Sequence, residues 1–146
     1  MKCKHVMTQN PRTCTTAASP QAAARIMKEE NVGMVPVVDE RTRTLVGVIT
    51  DRDLSMEVVA EAKNPLLMTV SDIMSKNLIA CKPDDDIEVC EQQMKKYQVR
   101  RIPVVDASSC CVGIIAQADI ALKVGQPQEI QDVVREISQP TTRRAA

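Results

Sequence analysis

The chain has no phenylalanine and no tryptophan, and Tyr97 is its only aromatic in 146 residues. With hydrophobic residues at 44%, a core is affordable, but it has to be assembled from Val, Ile, Leu, Met, Ala and Cys. Histidine occurs once, at His5, and none of the six cysteines (Cys3, Cys14, Cys81, Cys90, Cys110, Cys111) has C-x-x-C spacing, so no metal site is expected. A net charge is missing too. Lysines and arginines number 19 and acids 19, so no global field draws nucleic acid or an anionic membrane, and any phosphate recognition has to be local. No apolar run approaches the ~20 residues of a membrane span. The opening Met1–Thr8 lacks the apolar stretch of a secretory signal, so a cytoplasmic protein is expected.

What the chain does contain, it contains twice. Val32-Gly33-Met34-Val35-Pro36-Val37-Val38-Asp39, followed by Leu45 to Leu54, returns as Val99-Arg100-Arg101-Ile102-Pro103-Val104-Val105-Asp106, followed by Cys111 to Ile120. Met7 and Met74, and Pro36 and Pro103, lie 67 residues apart, whereas Gly47 and Gly113, and Asp53 and Asp119, lie 66 apart. One register with a single deletion between the Asp and the Gly covers most of each half. Two copies of this length point to a pair of supersecondary units sharing a core rather than to a solenoid. The reading in segments is 1–60 for the first repeat, 61–70 for a linker, 71–125 for the second repeat, 126–138 for an amphipathic helix and 139–146 for a disordered tail.

Within the first repeat, Val6 and Met7 are expected against the core and Arg12 to Thr15 as a short strand. Ser19-Pro20 reads as a helix cap followed by proline at the first helical position, where its missing N–H costs nothing. The helix should reach Asn31, with Ala22, Ala23, Ile26, Met27 and Glu30 on one side. Branched apolar runs predict strands at Met34–Val38 and Thr44–Thr50, covered on both faces, and a helix from Asp51 or Arg52 to Val59. The second repeat predicts a strand at Ile79–Cys81, a helix over 86–98 burying Val89, Cys90 and Met94, strands at Arg101–Val105 and Cys111–Ala116, and a helix over 117–123. The run Asp84-Asp85-Asp86 reads as capping acids for the 86–98 helix. Ile130, Val133, Val134 and Ile137 give the last helix an apolar stripe, to pack on the module or on a second copy.

With these motifs in hand, the chain from about Val6 to Lys123 resembles the tandem cystathionine-beta-synthase (CBS) domains, a pair of which is called a Bateman module. The resemblance rests on x-x-x-Pro-Val-Val-Asp and Gly-x-Ile-Thr-x-x-Asp-Leu occurring in one register twice. It implies an α+β (α/β-type) fold of two β-α-β-β-α repeats packed with pseudo-two-fold symmetry. It also implies a regulatory module that binds adenosine-containing ligands (AMP, ADP, ATP, S-adenosylmethionine or NAD) in clefts between the repeats and signals to a partner protein. The acid closing the second motif, by match Asp53 and Asp119, would accept from ribose hydroxyls. The Thr50 hydroxyl and free N–H groups opening the next helix would suit a phosphate, with Arg52 beside them.

The second repeat departs from this pattern, because Ala116 stands where Thr50 stands and brings no hydroxyl. Arg100 and Arg101 take the places of Gly33 and Met34, where family members often carry phosphate-contacting basic residues, so two unequal sites are expected. No catalytic residues are expected, since Asp51-Arg52-Asp53 has no His beside it and no Gly-rich phosphate loop. A homodimer is expected. The competing reading is a ligand-free interaction or scaffold dimer with degenerate clefts, in which Asp53 and Asp119 merely favour their helix starts. The cysteines read mainly as reduced core or surface thiols, with adjacent Cys110 and Cys111 an outside redox candidate.

Overall fold

The computed structural model describes the backbone of residues 1–124 and 127–139 and the side chains of 1–124 and 131–139. In chain order its helices are α1 (Cys3–Val6), α2 (Pro20–Glu30), α3 (Asp51–Leu54, continued by a π-helical turn, Ser55–Val59), α4 (Ile87–Tyr97), α5 (Gln117–Lys123) and α6 (Pro127–Ile137). Its strands are β1 (Thr8–Gln9), β2 (Cys14–Thr15), β3 (Met34–Val38), β4 (Leu45–Thr50), β5 (Arg101–Val105) and β6 (Cys111–Ala116). These elements form two compact units. Pro11–Leu78 make the central unit; Met1–Asn10 together with the described residues from Ile79 onward make the outer one.

In the central unit β3 lies between β2, to which it is parallel, and β4, to which it is antiparallel. All five β3 residues are buried, as a continuous branched apolar run requires. α2 is started by Ser19, whose hydroxyl accepts from the Ala22 N–H, and is stopped by Asn31 in the left-handed conformation. Its Ala23, Ile26 and Met27 join Cys14, Val35, Val37, Ile49 and Val70 in one core. Glu30 does not turn inward. It is exposed, and with Glu29 it meets the Arg12 guanidinium.

The outer unit repeats the architecture with sheet order β1-β6-β5 and both pairings antiparallel. Cys81 adds a single parallel pair with Val104, so the expected strand Ile79–Cys81 contracts to one residue, as Arg12–Thr15 contracts to Cys14–Thr15. The core runs through Val6, Ile87, Met94, Ile102, Val104, Ile115 and Ile120 and takes Val133 and Ile137 from α6, which packs on α4 and α5. The last helix therefore covers its own chain; the tail 140–146 lies outside the described residues.

Two expectations for α4 fail. Val89 is exposed and Glu91 is turned inward, because the helix begins at Ile87 and the stripe Ile87, Cys90/Glu91, Met94 leaves Val89 off its line. Asp86 holds the cap position but makes no side-chain cap bond. Instead Lys2 pairs with Asp86 and Lys4 with Asp84, each at 2.7 Å, while Asp85 accepts from the Lys82 N–H.

Each repeat lends its lead-in to the other repeat's sheet. Thr8 and Gln9 pair with Ile114 and Gly113, and the Met7 side chain covers Gly113. Their counterparts do the same in the central unit, where Ser75 pairs with Val48 and Met74 covers Gly47. A glycine is needed at both positions because any Cβ there would collide with the covering methionine.

Candidate functional site

The first group of candidate residues sits where β4 turns into α3. Thr50 is extended and buried, and its Oγ1 accepts from the Asp53 N–H at 3.1 Å while Asp53 Oδ2 accepts from the Thr50 N–H at 2.9 Å. This reciprocal cap is set by Thr-x-x-Asp alone. Burial pushes the half-buried Asp53 carboxyl above the ordinary aspartate range, and the bonds from Thr50 oppose that rise. The cap uses Oδ2, so Oδ1 remains free to accept, and the Thr50 hydroxyl still has its proton to donate.

The N–H groups that open α3 are not free. Asp51 N–H donates to the Gly33 carbonyl at 3.0 Å, Arg52 N–H to Asp51 Oδ1 at 2.9 Å and Asp53 N–H to Thr50. The expectation of open amides for a phosphate is overturned at this helix start, because side chains and the neighbouring strand's carbonyl arrive first. Sequence reasoning missed Gly33 as that partner. The 66-residue register could have found it, since Gln117 N–H donates equivalently to the Arg100 carbonyl at 2.8 Å. Arg52 is exposed at the helix opening.

The second group gathers at the start of α5. Asp119 Oδ2 accepts from the Ala116 N–H at 2.8 Å, half of the Thr50–Asp53 arrangement. Ala116 supplies no hydroxyl to return the bond to the Asp119 N–H. Arg101 pairs across the sheet with Ala116, and the Arg100 carbonyl is tied to Gln117, so the structure brings both arginines to the helix opening that carries Asp119. Arg100 is exposed and Arg101 half-buried. Both acids thus do the capping work that the ligand-free reading assigns them.

Ala116 has nearly the backbone angles of Thr50, −100° and 155° against −116° and 163°. Ala116→Thr is therefore expected to complete the cap and stabilise the protein by about 1 kcal/mol, which would appear as a higher urea midpoint at unchanged slope.

The CBS domain family matches residues 3–60 and again 70–125. The chain belongs to this family. Its two matches make a tandem CBS pair of mixed α and β structure. A CBS domain-containing protein, YhcV, of Bacillus subtilis is 36% identical over 82% of this chain and 82% of its own. The solved CBS domain pair of protein MJ0100, in complex with 5′-methylthioadenosine and S-adenosyl-L-methionine, is 31% identical at a TM-score of 0.76, covering 86% of this CBS pair and 96% of that chain. The L-aspartate semialdehyde sulfurtransferase of Methanocaldococcus jannaschii is 31% identical over 84% of this chain, which spans 23% of the enzyme's length. That likeness is to a CBS module carried by a larger enzyme. Among the described residues no helix is long and apolar enough to cross a membrane, and no three His, Cys, Asp or Glu are grouped to hold a metal.

Proposed function

We propose that this CBS pair is a regulatory module that binds an adenosine-containing ligand, with Asp53 and Asp119 accepting from ribose hydroxyls, and that passes the binding signal to a partner protein. The observation that carries this reading is the half-buried Asp53, whose cap occupies one carboxylate oxygen and leaves the other, beside the Thr50 hydroxyl. One carboxylate can serve cap and ribose together. The MJ0100 pair, with its two adenosine compounds, supports the ligand class. AMP, ADP, ATP, S-adenosylmethionine and NAD all fall within it. Signalling requires that the ligand bind one arrangement of the module, as monomer or homodimer, better than another.

Phosphate recognition falls to the outer unit, where Arg100 and Arg101 flank the α5 opening, with Arg52 contributing in the central unit. Arg100→Ala and Arg101→Ala should weaken ATP by about 10-fold, the loss of one charge-assisted contact, and leave adenosine unchanged in calorimetric titration. Equal losses for the two ligands would remove the phosphate role.

The test of the whole reading is mass spectrometry of a heat extract of the purified protein. Having one tyrosine and no tryptophan, the polypeptide absorbs little at 280 nm, so a retained adenine compound would also dominate the spectrum near 260 nm. A scaffold with empty sites is the second reading, favoured by Ala116 and by the filled amides of α3. An empty extract together with no thermal shift from any of the five ligands would establish it over the first.

A further inference from the structure

The outer unit gathers more sulfur than its packing requires. Cys3 opens α1, Cys81 makes the parallel pair with Val104, and Cys90 lies in α4. All three are free and fully buried, at 0%, 1% and 0% exposure, and each thiol has the other two as hydrogen-bond partners. The repeat shows what packing alone demands at these positions. At the 67-residue offset their counterparts are Val70, Cys14 and Ala23, all buried in the central core. One small thiol and two aliphatic side chains fill that site. Cys14 has no thiol neighbour there, and burial pushes it up to about 11.

Thiols in mutual contact differ chemically from the same number apart. Donation from Cys81 and Cys90 to the Cys3 sulfur lowers the Cys3 pKa, and the two donors are raised in return, so the cluster favours one thiolate and places it on Cys3. Cys81 is fixed by main-chain bonds to Pro103 and Val105. Cys3 instead belongs to a four-residue helix held by main-chain bonds to Pro83 and Asp85 and by the exposed pairs Lys2–Asp86 and Lys4–Asp84. Exposed ion pairs hold weakly, and such a segment opens locally far more readily than the sheet beneath it.

We propose that Cys3, Cys81 and Cys90 form a reversible thiol–disulfide site, oxidised by a peroxide or a small-molecule disulfide, that ties the lead-in segment to the outer unit. With hydrogen peroxide, the Cys3 thiolate attacks one oxygen and becomes a sulfenic acid as the O–O bond breaks and the other oxygen leaves as hydroxide, which takes up a proton to give water. The Cys81 sulfur then displaces water from that sulfenic acid, so two thiols and one peroxide give one disulfide and two waters. Cys90 exchanges into the bond as a third sulfur. The cross-link holds α1, and with it Met7 on Gly113, in place.

The experiment treats the folded full chain with hydrogen peroxide and, separately, with glutathione disulfide, blocks remaining thiols, and maps non-reduced peptides by mass spectrometry. The expected product is an intramolecular species lighter by about 2 Da, with Cys3 joined to Cys81 or Cys90, a higher Tm, and full reversal by dithiothreitol. Cys3→Ser should abolish it, and Cys110→Ser with Cys111→Ser should retain it. Six free thiols after treatment, or a cross-link that omits Cys3, would overturn the proposal, and that mapping on the unmodified sequence needs no variant to fold.

Discussion

Asp53→Asn is expected to lower the affinity for an adenosine-containing ligand by about 10- to 100-fold, the range for losing hydrogen bonds to a charged acceptor, while leaving the fold almost as stable. The asparagine carbonyl oxygen can still accept from the Thr50 N–H as Oδ2 does now at 2.9 Å, so the cap survives and only the anionic acceptor is lost. Isothermal titration with AMP and with S-adenosylmethionine, alongside urea unfolding, separates the two effects. A large stability loss with unchanged affinity would reduce Asp53 to a cap.

The same residue makes binding depend on pH, and the two signs oppose one another. Burial raises the Asp53 carboxyl in the folded chain, so the proton binds the folded state more tightly than the unfolded one. Its stabilising effect is complete below the unfolded value and is lost as pH rises through the folded one. Ribose hydroxyls need the carboxylate as acceptor, so affinity should instead fall as pH drops through that raised value. It should begin to fall at higher pH than an ordinary aspartate would allow. Asp53→Asn should flatten this dependence.

Gly47→Ala is the substitution expected to damage the fold most. A Cβ there would lie 2.8 Å from Met74 Sδ and 2.8 Å from the Ser75 carbonyl oxygen. The methionine can move; the carbonyl is held by the reciprocal bonds between Ser75 and Val48 at 3.1 and 2.9 Å. A loss of about 2–3 kcal/mol is expected, at the upper end for overpacking, seen as a lower urea midpoint. Gly113→Ala meets only the Met7 side chain, so its cost should be smaller. A reversed order would mean that the exchanged lead-in is held less firmly in the central unit than in the outer one.

Much of the molecule was legible from local pattern. β3, β5, β6 and α5 have the bounds read from branched apolar runs and the register. α2 starts at its Ser19-Pro20 signal, because periodicity and capping act within a few residues. The Thr50–Asp53 and Ala116–Asp119 pairs were visible for the same reason, since both span one helical turn.

Contacts across the chain were not visible. The two lead-ins, Val6-Met7-Thr8 and Ile73-Met74-Ser75, are so alike that nothing in their composition says which sheet each serves. Only the tertiary structure seats each on the other repeat's glycine. The filled amides of α3 depend on the Gly33 carbonyl arriving from another strand, and the Asp84–Asp86 run finds its lysines more than 80 residues away. Cys3, Cys81 and Cys90 meet in the same way. The sequence by itself determined the doubled unit, its strands and the acids at its helix starts, because these follow from neighbours along the chain. The tertiary structure alone decided which lead-in closes which sheet, which polar groups are already spent and which thiols touch, because burial patterns record that a residue is covered and not by what.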